Sequence, residues 1–96
     1  MNVQAMAEEL AQRLVYLSSL ESLFVTNGEG GFEYWVVGNN ISEDEEYCLY
    51  DAKWTLLSAN PELAIDLHLV DRRGQPLTEL LNLERLDGTV NLTDLR

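Results

Sequence analysis

Basic residues are scarce in this chain: six Lys and Arg stand against 17 Asp and Glu, a formal net charge of −11 over 96 residues. Nucleic-acid binding through a basic groove is thereby excluded, because phosphate contacts need clustered Lys and Arg. Anionic membrane surfaces are disfavoured for the same reason. Cysteine is scarcer still. Cys48 stands alone, so no intrachain disulfide can form and no oxidising compartment is implied. His68 is the one histidine, and an imidazole without a second His or a nearby Cys makes a poor transition-metal site. No run approaches the roughly 20 apolar residues of a membrane span. Met1-Asn2-Val3-Gln4 lacks a basic n-region, and Glu8-Glu9 interrupts any signal-like run. Asn40-Ile41-Ser42 and Asn91-Leu92-Thr93 match the glycosylation triplet, which means nothing without a secretory signal. A soluble, cytoplasmic protein without cofactor or metal is expected.

Apolar residues are plentiful, at 46% with two Trp, four Tyr and two Phe, enough for a packed core rather than disorder. The length suits a single domain over residues 1–96, with those after about 92 expected to be loose. Val3, Met6, Leu10, Leu14, Leu17 and Leu20 recur at three- and four-residue steps. That stripe predicts an amphipathic helix over residues 3–20. Leu23-Phe24-Val25-Thr26 and Phe32-Glu33-Tyr34-Trp35-Val36-Val37 are rich in aromatic and β-branched residues and read as strands. Asn27-Gly28-Glu29-Gly30-Gly31 between them suits a hairpin turn. A phosphate-cradling loop is the alternative, but no helix start and no Lys accompany the glycines.

Ser42-x-x-Glu45 is a capping box opening a second helix, which Asn60-Pro61 stops. Glu43, Asp44, Glu45 and Glu46 crowd its first turn, where carboxylates face the positive end of the helix dipole. Four consecutive helical positions point around the axis, so these acids do not converge as calcium ligands do. At about 100° per residue, Tyr47, Tyr50, Trp54 and Leu57 gather on one side of this helix, and Cys48, Leu49, Ala52 and Leu56 roughly opposite. One face covers the sheet. The other needs a cover too, either the first helix or a second protein surface, and Trp54 is expected to be largely buried, against the domain or at a subunit contact.

Leu63, Ile65, Leu67 and Leu69 alternate with Ala64, Asp66, His68 and Val70, a half-buried strand over residues 63–70. Asp71-Arg72-Arg73-Gly74 ends it as a turn. Residues 77–86 suit a short helix between Pro76 and Asp87-Gly88, or alternatively a hairpin through Asp87-Gly88 with residues 89–93. The whole reads as an α+β domain with an α-β-β-α-β core, in which a β-hairpin is followed by a crossover helix and a third strand. A short C-terminal helix or hairpin completes it.

Asp66 and His68 are two apart on one strand, so both project from the same face, where Glu33 can meet them if the strands are neighbours. A carboxylate beside an imidazole can orient a base or bind a metal. Single polar residues on a solvated sheet face are equally ordinary. No Gly-x-Ser-x-Gly is present, and Cys48 lies mid-helix. The order helix, strand, strand, helix, strand, with acids on the second and third strands, resembles a pared-down nucleotidyltransferase core. That family needs a Gly-Ser turn leading into a short helix, then an Asp-x-Asp pair. Here the turn is Asn27-Gly28-Glu29-Gly30-Gly31, and Glu33 is followed two residues later by Trp35. The resemblance therefore implies a scaffold without two-metal phosphoryl chemistry.

The leading expectation is a small acidic, non-catalytic module that binds a protein or itself as a homodimer. An antagonist of a basic or nucleic-acid-binding protein is one version of it. Tyr47, Tyr50 and Trp54 with Glu43, Asp44 and Glu46 would form the contact surface. The alternative is a degenerate nucleotidyltransferase-like or minor enzyme using Glu33, Asp66 and His68.

Overall fold

The computed structural model describes residues 3–28, 31–59, 61, 65–79 and 88–95. In chain order they form α1 (Val3–Leu14), β1 (Leu20–Gly28), β2 (Gly31–Gly38), α2 (Glu43–Ala59), β3 (Ile65–Asp71), a 3-10 turn (Leu77–Glu79), β4 (Gly88–Asn91) and α3 (Leu92–Leu95). The four strands make one mixed sheet in the order β3-β2-β1-β4. β1 runs antiparallel to both β2 and β4, while β2 and β3 are parallel. A parallel neighbour cannot be reached by a tight turn, and α2 supplies the crossover. The architecture is the expected α+β class.

Both long helices lie on one face of the sheet. Met6, Leu10 and Leu14 of α1 and Leu49, Ala52 and Leu56 of α2 share a buried cluster with Leu23, Val25, Tyr34, Val36 and Leu67. Strand alternation sends Phe24, Thr26, Glu33, Trp35, Val37, Asp66 and His68 to the opposite face. That face is not simply solvated, since Phe24 and Val37 are buried on it.

α1 is shorter than its apolar stripe. It ends at Leu14, and Leu17 and Leu20 are carried into the core by successive turns, Leu17 N–H donating to Leu14 O and Leu20 N–H to Leu17 O, each at 3.0 Å. A turn that keeps burying every third residue mimics helical periodicity. The strand register then slips by one residue between Leu20 and Ser22, so Leu20 and Leu23 both face the core despite their odd spacing. Both strands outrun their expected bounds, and Gly28 pairs with Gly31. Gly38 closes β2 where a Cβ would meet Ser19 O at 2.6 Å and Ile41 at 2.8 Å, so only glycine fits.

β3 is described over Ile65–Asp71, one residue past the expected end at Val70; residues 62–64, where the strand was expected to begin, lie outside those described. The expected C-terminal helix over 77–86 is a 3-10 turn over Leu77–Glu79, and residues 80–87 are likewise outside. Gly88–Asn91 is a strand, as in the hairpin alternative, and it pairs with β1. Leu92, fully buried, anchors α3, while Thr93, Asp94 and Leu95 are exposed.

The capping box forms as read. Glu45 N–H donates to Ser42 Oγ at 3.2 Å, and Ser42 N–H and hydroxyl donate back to Glu45 Oε1 at 3.3 and 3.1 Å. Glu45 does more than cap, for it also accepts from Ser19 Oγ at 2.7 Å and Ser19 N–H at 3.0 Å. The carboxylate thus ties the start of α2 to the loop between α1 and β1. The Ser19 hydroxyl outweighs burial and, with the other Ser19 and Ser42 donors, holds Glu45 below the ordinary glutamate range.

Asp71 plays the matching part at the end of β3. It accepts from the N–H groups of Asn40 (2.8 Å), Ile41 (3.1 Å) and Arg73 (3.1 Å). Burial pulls its pKa up. These backbone donors and the Arg73 charge together outweigh that pull and hold it below the ordinary aspartate value.

Two outcomes follow. Ser42→Ala removes the cap and lowers unfolding free energy by about 0.5–2 kcal/mol, read from urea denaturation. Asp71→Asn leaves one N–H partner facing an amide that cannot accept, so it is less stable than wild type at neutral pH. A depressed folded pKa contributes stability above the unfolded value of about 3.9 and loses it as pH falls through the folded one. The gap between wild type and Asp71→Asn therefore closes below about pH 4, whatever the other acids do to both proteins. A gap that persists unchanged into acid contradicts this.

Candidate functional site

Two surfaces hold the residues that the sequence singles out. The first is the outer side of α2. Leu49, Ala52 and Leu56 are buried there, with Cys48 half-buried, so the aliphatic face is the one that packs on α1 and the sheet. Trp54 is 68% exposed, Tyr47 77% and Tyr50 43%, which corrects the expectation that Trp54 is buried against its own domain. α1 does not cover this face, because it packs against the same buried cluster from the other side of α2. The aliphatic side chains win the core since they carry no polar atom to satisfy, whereas Tyr and Trp tolerate water at their polar ends. Glu43, Asp44 and Glu46 are exposed on the first turn. A surface depression of about 560 Å³ adjoins this face, lined by Glu46 and Tyr50 on α2 and by Leu69, Asp71, Arg72 and Arg73 across from them. Arg72 is already engaged. Its Nε and second terminal nitrogen donate to the two Glu21 oxygens at 2.8 and 3.0 Å.

The second surface is the sheet face turned away from the helices. Parallel pairing sets Glu33 opposite Asp66 and Trp35 opposite His68. One donor atom from each of Glu33, Asp66 and His68 lies within 4.8 Å of the other two. His68 Nε2 is 3.3 Å from Asp66 Oδ2 and 3.8 Å from Glu33 Oε1. Neither approach makes a hydrogen bond, and Nε2 itself is sealed from solvent without a hydrogen-bond partner. The His68 ring stacks on Trp35, centroids 4.2 Å apart at 22°. Trp35 Nε1 donates to Thr26 Oγ1 at 2.9 Å, and Thr26 donates to Glu33 Oε2 at 3.4 Å. The condition set by the sequence is thus met: β2 and β3 are neighbours, and the three side chains share one face.

Trp35 and Thr26, which hold them, went unread. Trp35 was within reach of periodicity, being two residues from Glu33 on the same face. Thr26 required the hairpin register, which five turn residues left open.

The depression beside Tyr50 and another between α1 and β4 lie away from this cluster. No described helix is long and apolar enough to cross a membrane. The chain matches no protein-family model, no curated protein and no solved structure.

The exposure of Trp54 fixes an outcome. Trp54→Ala changes unfolding free energy by no more than about 0.5 kcal/mol, the range of surface substitutions. Acrylamide quenches Trp54 fluorescence freely in the folded protein. A loss of several kcal/mol or a shielded Trp54 contradicts an open face.

Proposed function

We propose that this chain is a non-catalytic protein-binding module whose contact surface is the outer face of α2, and whose partner presents an apolar groove with a basic rim. The observation that carries this reading is the exposure of Tyr47, Tyr50 and Trp54 together on one helix that is fully anchored through its other side. Of the five large apolar side chains exposed among the described residues, three lie here. Positions i, i+3 and i+7 are the spacing by which a helix seats its anchors in a groove. Tyr and Trp are enriched where partners bury their surfaces and supply much of the binding energy.

Charge selects the chemistry of the partner. Glu43, Asp44 and Glu46 stand at the N-terminal end of the same surface, within a chain of net charge −11. A basic rim around the groove complements them and speeds encounter, whereas a second copy of this chain brings the same acids against them. Convergence of Glu33, Asp66 and His68 favours the rival reading of a minor enzyme. An enclosed substrate pocket around them and an activated nucleophile are missing among the described residues, so binding remains the better account.

The sign of the salt effect separates partner from self. Binding to a basic partner weakens as salt screens the attraction, while self-association of so acidic a chain tightens as salt screens repulsion. Capture from the native host is compared for wild type, Trp54→Ala and Tyr47→Ala at low and high salt, with sedimentation equilibrium of the protein alone. The expected result is a basic partner retained by wild type at low salt, lost by both variants, and a monomer when alone. A mass that rises with salt, or capture indifferent to Trp54 and Tyr47, overturns the reading.

A further inference from the structure

We infer that Glu33, Asp66 and His68 form a binding site for one divalent first-row transition-metal ion of the Zn²⁺ type. The site lies on the sheet face opposite the helices and is independent of the α2 surface.

His68 Nε2 is left unsatisfied beside two acids. Two carboxylates from adjacent parallel strands point at one imidazole nitrogen. Among the described residues, no Lys or Arg pairs with Glu33 or Asp66. The nitrogen is shut off from water and makes no hydrogen bond to either acid. If it carries a proton, that proton is hydrogen-bonded to neither oxygen. If it does not, its lone pair faces two anions. A cation seated between the three atoms resolves both cases, because a metal bonds each lone pair directly and needs no shared donor–hydrogen line.

Distances fit a small ion. At metal–ligand lengths of about 2.0–2.2 Å, tetrahedral ligand atoms stand about 3.3–3.6 Å apart. The Nε2–Asp66 Oδ2 separation is already 3.3 Å, and Nε2–Glu33 Oε1 at 3.8 Å needs only a small side-chain adjustment. One nitrogen and two oxygens suit Zn²⁺, Co²⁺ or Mn²⁺ over Ca²⁺ or Mg²⁺, which take oxygen shells. Three protein ligands leave a position for water on the open side, where the Asp66 side chain is 63% exposed. A lone histidine argues against such a site when counted by histidines and cysteines alone. Two carboxylates brought by the parallel register change the count.

The surroundings are built to hold the ligands. Thr26 engages Glu33 Oε2 and leaves Oε1 turned to His68. Trp35 fixes Thr26 through its indole N–H and braces the imidazole through its ring. Groups that orient ligands in this way matter nearly as much as the ligands themselves.

The test titrates the folded full chain with ZnCl₂ by calorimetry and with CoCl₂ by visible absorption, MgCl₂ serving as the control. One ion per chain is expected, with a Co²⁺ ligand-field band, and Mg²⁺ should neither bind nor compete. His68→Gln and Glu33→Gln should abolish saturable binding. Thr26→Val, which touches no metal, should weaken it by about 10–100-fold. In a Trp54→Phe background, metal should alter the fluorescence of Trp35, which no remote site would do. Glu43→Gln with Glu46→Gln and Trp54→Ala should each leave binding intact, so failure here is distinct from failure of the α2 interface. Circular dichroism confirms that each variant is folded, and Asp66→Asn, at an exposed position, provides a further ligand variant. No binding of Zn²⁺ or Co²⁺ to wild type overturns the assignment. So does binding that survives His68→Gln or is lost in the Glu43/Glu46 variant.

Discussion

The parallel register of β2 against β3 is the constraint on which the rest of this structure depends. Side chains on neighbouring parallel strands meet only when the register brings them level, and a slip of one residue sends every one to the other face. With Glu33 level with Asp66 and Trp35 level with His68, the polar cluster forms on one face while Tyr34 and Leu67 enter the core on the other. The junction after the strands holds that register. Arg72 N–H donates to Gly38 O at 2.9 Å, Gly74 N–H donates to Asn39 Oδ1 at 2.8 Å, and Asp71 gathers the N–H groups of Asn40 and Ile41. These bonds lock the end of β3 to the residues that lead from β2 into α2.

Parallel pairing also dictates what α2 must do. The helix has to leave the end of β2, cross the sheet and return the chain to the start of β3, so its position and one buried face are fixed by topology. Its N-terminus is fixed separately by Glu45, which joins Ser42 and Ser19 in one network. Once the N-terminus and the aliphatic face are committed, the aromatic side has no freedom to turn inward. Exposure of Tyr47, Tyr50 and Trp54 is thus a consequence of the fold and not of a loose helix.

Much of this was legible in the chain, and what was not has identifiable causes. The capping box at Ser42 and Glu45, the stop at Asn60-Pro61 and the alternation of β3 are local signals, and local signals survive folding. The α1 boundary was missed because Leu17 and Leu20 continue a three-residue burial rhythm through turns, which periodicity cannot tell from a helix. The choice between the two faces of α2 was ambiguous because both are apolar, and only the location of α1 decides it. Convergence of Glu33, Asp66 and His68 was conditional on strand adjacency, a long-range fact that no window of sequence contains. A strand over residues 89–93 stood only as the alternative to a C-terminal helix, and its pairing with β1, more than 60 residues earlier in the chain, is again long-range.

The two unusual surfaces differ in how they relate to stability. Burying Tyr47, Tyr50 and Trp54 would have stabilised the domain, yet its core of Leu, Val and Ala side chains closes without them. An aromatic face left outside by a complete core contributes little to folding, so its composition is free to be set by what it contacts. The Glu33–Asp66–His68 cluster goes further, because a buried polar atom without a hydrogen-bond partner, here His68 Nε2, costs stability. Aliphatic side chains at those positions would pack beside Phe24 and Val37 on the same face at no electrostatic cost. Thr26 and Trp35 nonetheless hold the cluster in place, and the cation proposed for it would bond the lone pair that the fold leaves unsatisfied.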